Sequence, residues 1–386
     1  MKKVAIIGAG AAGCFLAQRL KELDKDLRVI LYESHERPLM KVAVTGGGRC
    51  NLTNSFEAVT DLKQVYPRGH RLMKRLMHQW DQHSTMEWFE RKGVALLTQD
   101  DNCVFPVSQD AMQIVRTLQH GLTIKTGTRV TSIDDIDADY IVVTTGGAKN
   151  FAWLDGTGVE IEPAVPSLFP FKLQPSGLEE LMGIVIEDTT LTLAGTKFKS
   201  TGTLLITHFG VSGPAVLRMS SYAARHLSEH NYQASLLINW LGDMKQGEAL
   251  EMLQQTLGDN PDKQINKVLP NIGGARWVAH ILQRSQIAPD TRCKAINAKQ
   301  LNRLMNTMTA DTYSITGKAP NKEEFVTCGG VSLNSVNGST LETKSRKGLY
   351  FAGEVLDIDG VTGGFNLQAA FTTANAVAEG IAGAED

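Results

Sequence analysis

Residues 3–13 read KVAIIGAGAAG, an apolar strand that runs directly into a glycine-rich turn. In such a turn Gly8 permits the sharp bend, Gly10 leaves room for a pyrophosphate against bare backbone, and Gly13 lets the following helix pack close to the sheet. The helix predicted at about residues 11–23 directs its unpaired N–H groups and the positive end of its dipole at the phosphates. The stretch therefore predicts the phosphate half of a dinucleotide site.

A second strand, predicted at residues 29–32, delivers Glu33 to the same site, twenty positions beyond Gly13. An acid at this spacing accepts hydrogen bonds from a ribose and favours an adenosine ribose without a 2′-phosphate. Strand, helix, second strand and acid together separate this pattern from a glycine turn that binds nothing. They do not distinguish FAD from NAD.

Composition sets wide limits on the fold and on the partners. The chain has 386 residues, 42% hydrophobic and 21% charged, and is long enough for two or three domains with a large core. A formal net charge of −2 provides no basic field, so we expect a small-molecule substrate and no nucleic-acid or membrane partner. The apolar run after Met1 is too short for a signal peptide or a membrane span. The five cysteines show no CxxC or metal-ligand spacing, which predicts a cytoplasmic location and no bound metal. The oligomeric state stays open.

The pattern of the chain changes in its middle part. Strands and helices alternate near both ends, whereas short alternating runs such as LTLAGTKFK and GTLLITHFG fill one central stretch and helices fill the next. We predict a dinucleotide-binding domain formed by residues 1–155 and 325–386. Its two insertions would be a β-rich part at 156–245 with 309–324, on the substrate side, and a helical part at 246–308.

The C-terminal segment from Gly348 selects the cofactor. It reads as a strand, a turn with Gly353 and Glu354, a second glycine turn, and a long helix that starts near Phe365. Glu354 would accept hydrogen bonds from the ribityl hydroxyls of an extended FAD. The helix would point its N–H groups at the flavin pyrimidine edge, where negative charge gathers on reduction. The alternative is a connection between strand and helix that binds no ligand.

Five stretches together resemble one bacterial family: GAGAAG, GGGRCNLTN, TTGG, THFGVSGPAVLRMSS and GLYFAGEVLDIDGVTGGFNLQAA. The family consists of FAD-dependent, NAD(P)-linked oxidoreductases and includes members described as aminoacetone oxidases and a dehydro-bile-acid reductase. The resemblance covers nearly the whole chain. It implies an α/β fold of the two-dinucleotide type, in which an FAD-binding Rossmann-like domain is interrupted by a β-barrel-like insertion and a helical insertion.

The resemblance also implies positions along the cofactor. It places Glu33 at the adenosine ribose, Val130 at the adenine, and Lys41 near the phosphates or flavin together with residues 48–51. Glu354 would lie at the ribityl chain and ring with residues 364–367. Motifs and resemblance together give the residues expected to bind FAD: Gly8, Gly10, Ala12, Gly13, Glu33, Ser34, Lys41, Gly47, Gly48, Arg49, Cys50, Asn51, Arg129, Val130, Thr145, Gly146, Gly147, Gly353, Glu354, Gly364, Phe365, Asn366 and Leu367.

Cys50 lies in the glycine loop where flavin disulfide reductases carry two cysteines separated by four residues. Here Ser55 stands at the partner position, and without a second thiol we reject disulfide exchange with a substrate. Two readings stay open for Cys50. It is a lone catalytic redox thiol whose pKa is lowered by Arg49, or it packs beside the cofactor while Arg49 contacts phosphate or flavin.

His208 is the other catalytic candidate, because it follows the apolar run LLIT at a predicted turn and titrates in the range useful for proton transfer. A histidine that only caps this turn is the alternative. SGPAVLRMSS predicts a helix start with Ser212 as N-cap and Pro214 in the first turn. DIDG, at residues 357–360, lacks the further oxygen ligands of a calcium loop.

These features predict hydride or electron-pair transfer through the flavin N5, with a small organic substrate stacked on the ring. No second strand-GxGxxG-helix unit is present in the sequence, so NAD(P)H would bind only transiently. Two other classes stay open. One is an NAD-only Rossmann dehydrogenase, and the other is an FAD-containing binding or RNA-modifying protein, which would carry a basic face on the insertion.

Overall fold

A parallel sheet built from both ends of the chain carries the glycine motifs. The computed structural model describes residues 1–148, 150–319 and 326–384. The chain divides into two units, Met1–Pro166 with Val326–Asp386, and Ser167–Phe325.

The strands are β1 Lys3–Ile7, β2 Arg28–Tyr32, β3 Thr53–Asn54, β4 Leu96–Thr98, β5 Cys103–Pro106, β6 Ile124–Lys125, β7 Tyr140–Val143, β8 Ile161–Ser167, β9 Phe171–Leu173, β10 Val185–Leu193, β11 Lys199–Thr207, β12 Gly210–Ser212, β13 Ala234–Asn239, β14 Asp311–Lys318, β15 Val326–Val331 and β16 Leu349–Phe351. The α-helices are α1 Ala11–Leu23, α2 Met40–Val44, α3 His70–Leu76, α4 Gln82–Arg91, α5 Ala111–Gln119, α6 Pro214–Tyr222, α7 Ala224–Glu229, α8 Gln246–Asp259, α9 Gly274–Arg284, α10 Ala298–Thr309 and α11 Phe365–Ala382.

The sheet of the first unit has the strand order β16-β7-β1-β2-β6, and every neighbouring pair is parallel. Val4 to Ile7 of β1 are buried, because the strand lies in the middle of the sheet. This explains its continuous apolar run, since parallel strands covered on both faces show no polar alternation. In a parallel sheet the carboxyl ends of all strands meet at one edge.

The first and last helices of this unit pack against each other through aromatic side chains. The ring of Phe15 on α1 lies 5.0 Å from those of Trp88 and Phe371, and 5.4 Å from that of Trp80, measured between ring centres. The N-terminal and C-terminal parts of the chain therefore share one core. α11 is the longest described helix, and none of the described helices is long and apolar enough to cross a membrane.

The second unit contains a closed antiparallel barrel with the order β10-β11-β12-β9-β14-β13. β14 follows the helices α8 to α10 in the sequence and pairs with β13 and β9, which closes the barrel. Leu253 of α8, Trp277 of α9 and Leu304 of α10 are buried in the same apolar core as the barrel residues Phe171 and Leu191. The barrel and the helical segment therefore fold as one unit.

The boundaries of the two units differ from the domain boundaries expected from the sequence. β8 pairs with β15 in a two-stranded sheet, so residues 156–166 belong to the first unit rather than to the β-rich insertion. The β-rich and helical insertions, expected as separate parts, share one core because the three helices cover the barrel. The predicted α/β architecture, an interrupted Rossmann-like domain with barrel-like and helical insertions, is confirmed.

The N-cap predicted for α6 is wrong by one residue. Ser212 is the last residue of β12, and Gly213 is the N-cap, with Pro214 as the first helical residue. Gly213 has φ +95°, and a Cβ there would lie 2.8 Å from the carbonyl oxygen of Thr203. The close approach of the neighbouring strand therefore requires glycine at this position.

Candidate functional site

The expected cofactor residues of the first unit follow the carboxyl ends of four strands. Gly8 and Gly10 follow β1, Glu33 follows β2, residues 144–147 follow β7, and Glu354 lies in the turn after β16. Since these strands are parallel neighbours, their ends lie along one edge of the sheet. Open α/β sheets bind their ligands at this edge.

The glycine turn after β1 is held tightly against β7. Gly8 has φ +105°, and a Cβ on it would lie 2.6 Å from the carbonyl oxygen of Thr144; a Cβ on Gly13 would lie 2.1 Å from that of Gly8. The Thr144 hydroxyl donates to the Gly8 carbonyl at 2.8 Å, a contact that the sequence did not reveal. Gly8 and Gly13 thus have the steric roles expected from the motif.

Gly10 differs from these two glycines, because a Cβ on it would meet no atom within 4 Å. It is the N-cap of α1, no side chain caps this helix end, and its first turn, which includes Ala12, holds no acidic residue. The first N–H groups of α1 are consequently available to an anion, and the helix dipole favours negative charge there.

Glu33 is positioned by hydrogen bonds to both of its carboxylate oxygens. Oε2 accepts from the backbone N–H of Ala9 at 2.9 Å, and Oε1 accepts from the backbone N–H of His35 at 2.9 Å. Burial opposes ionisation, but these hydrogen bonds outweigh it and hold the pKa of Glu33 below its usual range. The hydroxyl of Ser34 lies 3.3 Å from Oε1.

The segment after β6 runs beside Glu33. The backbone N–H of Thr128 donates to the Glu33 carbonyl at 2.7 Å, and that of Gly127 donates to the His35 carbonyl at 3.1 Å. Arg129, which is exposed, and Val130, which is half-buried, come directly after this contact. The structure therefore brings together the residues expected around the adenosine part of the cofactor.

Glu354 is the centre of a second polar cluster at this edge. Its Oε1 accepts from the backbone N–H of Thr327 at 2.9 Å, and its Oε2 accepts from Lys41 Nζ at 3.1 Å. A Cβ on Gly147 would lie 3.0 Å from Oε1, and one on Gly146 would lie 3.5 Å from Oε2. The turn that begins at the exposed Thr145 therefore lies against the carboxylate.

The glycine loop after α2 reaches the start of α11 through Asn51. With its amide oriented to satisfy both groups, Asn51 donates to the Thr53 carbonyl at 2.9 Å and accepts from the Gly364 N–H at 3.3 Å. Gly364 has φ +88°, and a Cβ on it would lie 2.2 Å from the Thr53 carbonyl oxygen. Gly47 and Gly48 also have positive φ angles, with no atom within 4 Å of an added Cβ.

The first turn of α11 is fixed by its own side chains. Phe365 is buried, and its carbonyl accepts from the Tyr66 hydroxyl at 2.9 Å. The amide of Asn366 bonds both the N–H and the carbonyl of Gly360, at 2.8 and 2.9 Å, while Leu367 is half-exposed. No side chain caps this helix, so its first N–H groups are available, as at α1.

Cys50 does not have the environment of a reactive thiol. Its side chain is fully buried, and burial raises the pKa of the thiol to about 12. The Arg49 guanidinium instead stacks over the ring of Phe105 at 4.5 Å, and its Nε donates to the Gly46 carbonyl at 3.2 Å. The prediction that Arg49 lowers the pKa of this thiol is therefore wrong, because burial removes the water that would stabilise the thiolate.

His208, the other catalytic candidate, belongs to the second unit. It lies in the exposed turn between β11 and β12, with its ring 4.9 Å from that of Phe209. Its part in catalysis stays a prediction.

Two further contacts at the C-terminal segment were not found from the sequence. Gly353 donates its backbone N–H to the Thr373 hydroxyl at 2.9 Å, and the only sequence signal was a pair of adjacent threonines within the helix. Asp359 of the DIDG stretch is fully buried and pairs with Arg68. Burial opposes the charge of Arg68, but Asp359 overcomes this and raises the pKa of the guanidinium.

This arrangement fits an extended FAD. It offers two uncapped helix N-termini, one for the pyrophosphate and one for the pyrimidine edge of the flavin. It also offers one carboxylate at each end, Glu33 for the adenosine ribose and Glu354 for the ribityl hydroxyls. The open space above Gly10, Gly47 and Gly48 leaves backbone accessible between them.

Comparison with known proteins supports the same reading. Residues 2–380 match the HI0933-like protein Rossmann domain. The chain belongs to this family. An Escherichia coli (strain K12) relative, "Ribosomal RNA dihydrouridine synthase", is 29% identical, with 98% of each chain covered. A Clostridium scindens relative, "3-dehydro-bile acid delta(4,6)-reductase", is 26% identical, with 97% of each chain covered.

The likeness to solved structures is weaker. The 3-ketosteroid delta1-dehydrogenase from Sterolibacterium denitrificans has a TM-score of 0.49 at 12% identity, with 100% of each chain covered. This HI0933-like protein is a flavin-dependent oxidoreductase with an FAD-binding Rossmann domain, as the family membership shows. The NAD-only dehydrogenase that the sequence left open does not hold.

Proposed function

We propose that this HI0933-like protein transfers hydride between flavin N5 and a carbon–carbon double bond conjugated to a carbonyl group, in a small organic substrate, with NAD(P)H as a transient reductant. The names of two relatives support this reaction class. A dihydrouridine synthase saturates the uracil double bond next to a carbonyl, and a delta(4,6)-reductase acts on double bonds conjugated to a 3-keto group. The common chemistry is hydride addition to an electron-poor alkene.

The observation that carries the proposal is the Glu354 cluster beside the uncapped start of α11. The carboxylate is fixed by Thr327 and Lys41, so it is already oriented to accept hydrogen bonds from ribityl hydroxyls. When bound, FAD supplies the hydride chemistry at N5. The first N–H groups of α11 and the dipole of this 18-residue helix favour negative charge at the pyrimidine edge, which stabilises the reduced cofactor.

The remaining residues would bind and orient the FAD. The N-terminus of α1 and the bare backbone at Gly10 would hold the pyrophosphate, and Glu33 would accept from the adenosine ribose. Reduction of an alkene also requires a proton at the second carbon. We propose His208 as its donor, because it is exposed and histidine is the side chain that most often transfers protons in enzymes.

An anaerobic titration tests the reaction class. NADH or NADPH should bleach the flavin band near roughly 450 nm, and 2-cyclohexen-1-one should then restore it under anaerobic conditions. Cyclohexanone is the matched control, because it has the carbonyl but no double bond and should not restore the band. Bleaching by neither nucleotide would exclude NAD(P)H as reductant. Equal reoxidation by both ketones would exclude a requirement for the conjugated alkene.

A uracil base in RNA is a second candidate substrate for the same chemistry, and one feature of the second unit favours it. Residues 262–303 contain eight Lys or Arg and two Asp, a formal charge of +6, although the whole chain carries −2. Lys263, Lys267 and Lys299 are exposed, and none of them has an ion pair among the described residues. A basic segment with exposed, unpaired lysines attracts the phosphate backbone of RNA.

Dihydrouridine analysis separates the two candidates. Ribosomal RNA from a strain lacking this gene is digested to nucleosides and compared by mass spectrometry with RNA from the parent strain. Loss of one dihydrouridine, restored by the intact gene, would favour the RNA substrate. An unchanged dihydrouridine content together with enone turnover would favour the small molecule.

A further inference from the structure

The barrel unit carries three potential metal ligands on one helical turn, outside the FAD domain. His226 and Glu229 lie on α7, and His230 is the residue that follows it. Their spacing of i, i+3 and i+4 places the side chains on one face. One ligand atom from each residue lies within 4.8 Å of the other two.

The two histidine rings lie side by side, and one of them has a fixed tautomer. Their ring centres lie 4.2 Å apart. Nδ1 of His230 lies 2.8 Å from the His226 carbonyl oxygen, and since a carbonyl only accepts, Nδ1 of the neutral ring carries the proton. This leaves a lone pair on Nε2. Metal-binding histidines commonly donate their second ring N–H to a backbone carbonyl in this way, which fixes the tautomer and the ring orientation.

Of the other two ligands, His226 is held by packing and Glu229 is free to turn toward a metal ion. The half-buried ring of His226 packs against the ring of Phe198, with centres 5.7 Å apart, which limits its rotamers. Glu229 is exposed, and its carboxylate makes no hydrogen bond or ion pair with any other residue that the structure describes. It can therefore turn toward the two imidazoles and supply negative charge.

We propose that His226, Glu229 and His230 bind one divalent first-row transition-metal ion. Two imidazoles and one carboxylate form a donor set suited to zinc, copper or nickel, whereas magnesium and calcium prefer oxygen ligands throughout. Three protein ligands leave the remaining coordination position to water. Metal–ligand distances of about 2.0–2.2 Å require the ligand atoms to approach each other, which rotation of the exposed side chains allows.

The sequence analysis predicted no bound metal, on the basis of the cysteine spacing and the DIDG stretch. This site was therefore not expected. The pattern HLSEH at residues 226–230 carries the signal. An ion held there joins the last turn of α7 to the residue after it. Binding to the folded state alone would stabilise this unit by mass action.

Zinc titration tests the proposal. Full-length, FAD-loaded protein without a histidine tag is treated with chelator and titrated with zinc chloride by calorimetry. We expect one ion per chain. Mutation of residues that only hydrogen-bond to metal ligands commonly lowers metal affinity 10–100-fold, so the double variant His226→Ala/His230→Ala, which removes two ligands, should lose at least about that much. Glu229→Gln should lose less. Zinc should raise the Tm of the wild type but not of the double variant.

The matched control is His78→Ala/His83→Ala, which removes two exposed histidines of the FAD domain. It should bind zinc like the wild type. Buried cysteines do not compete, since all five thiols are buried. Far-UV circular dichroism, which reports the helices and strands of both units, checks that each variant is folded. If the double variant is not folded, Glu229→Gln, whose side chain has nearly the same size as glutamate, is used in its place. Absence of zinc binding in the wild type, unchanged binding in the double variant, or equal loss in the control would overturn the proposal.

Discussion

Gly8 and Gly10 stand two positions apart in one turn, yet an added methyl group would meet opposite surroundings. At Gly8 it would lie 2.6 Å from the Thr144 carbonyl oxygen, on a backbone with φ +105°. At Gly10 it would meet nothing within 4 Å, and φ of −86° suits any residue. The first glycine is therefore required by the fold, whereas the second is free of any such requirement and available to a ligand.

Gly8→Ala and Gly10→Ala should separate the requirement of the fold for glycine from the requirement of the cofactor. Gly8→Ala should lower the free energy of unfolding by at least about 1–3 kcal/mol, because alanine is strained at this φ and contacts β7. Gly10→Ala should leave the unfolding of the FAD-free protein unchanged but weaken FAD binding by about tenfold or more, roughly 1.4 kcal/mol, because its methyl group takes the place of the pyrophosphate. Urea unfolding and FAD titration measure the two effects. An unchanged FAD affinity in Gly10→Ala would contradict the assignment.

Glu33 gives the folded FAD-free protein a pH dependence. The pKa of Glu33 is lower in the folded state than in the unfolded chain. Its contribution to the free energy of unfolding is therefore complete at pH values above the ordinary pKa of a glutamate. The contribution is lost as the pH falls through that range to the folded-state pKa. Tm measured from pH 7 downward should therefore fall more steeply in the wild type than in Glu33→Gln. Parallel curves for the two proteins would show that the hydrogen bonds from Ala9 and His35 do not stabilise the ionised form.

Among the elements, α11 depends most on distant parts of the chain. Asn51 reaches its N-cap, Gly364, and the hydroxyl of Thr373 holds the turn at Gly353. The segment just before the helix is anchored by the buried pair of Arg68 and Asp359. Asn51 and the pair of Arg68 and Asp359 thus fix the start of this helix, and Thr373 joins its middle to the turn at Gly353; a site for the flavin edge requires such rigid support.

Asp359→Asn should be strongly destabilising. Removing one partner of a buried ion pair leaves the other charge uncompensated, and such changes cost about 3–5 kcal/mol. Urea unfolding of the FAD-free protein measures the loss. The control is Asp137→Asn, which breaks an exposed pair with Lys3 and should leave the free energy of unfolding unchanged. Similar results for both variants would mean that burial of the Arg68 pair has little energetic consequence.

Prediction from the sequence succeeded where the determining residues are close together in the chain. The strand, turn, helix and acid of residues 3–33 are local, and each has its own residue pattern. The contacts that fix the second half of the site join residues far apart, such as Lys41 with Glu354 and Arg68 with Asp359, which are 313 and 291 positions apart. No local pattern encodes such a pair, because the fold alone decides which side chains meet. For the same reason the sequence could not decide between the reactive and the buried Cys50, and the structure shows the side chain buried.

Across the whole molecule, charge is distributed unevenly. The chain is nearly neutral overall, and on this basis the sequence argued against a nucleic-acid partner. Residues 262–303 nevertheless carry a formal charge of +6, within a unit that has its own core. Net charge therefore describes this molecule less well than the charge of its separate parts.

Reversing charge on that segment should separate the two candidate substrates. The triple variant Lys263→Glu/Lys267→Glu/Lys299→Glu changes exposed residues only and should retain FAD and bleaching by nucleotide. If RNA is the substrate, dihydrouridine formation should fall and enone turnover should not, because neutralised phosphates dominate RNA affinity. The matched control, Lys25→Glu/Lys63→Glu/Lys74→Glu, changes three exposed lysines of the FAD domain that likewise have no ion pair among the described residues. An equal loss of dihydrouridine formation in both variants would show that the lysines of residues 262–303 have no specific role in RNA binding.

The FAD domain combines the first 166 residues with the last stretch of the chain, and this has a consequence during synthesis. β16 and α11 leave the ribosome after every strand of the barrel has been made. With FAD placed as proposed, the nascent chain until then has Glu33 and the start of α1 for the adenosine half, but neither Glu354 for the ribityl chain nor the start of α11 for the ring. On this placement of FAD, the chain must be translated through α11 before it can hold the whole cofactor, and a polypeptide that stops before β16 should be colourless.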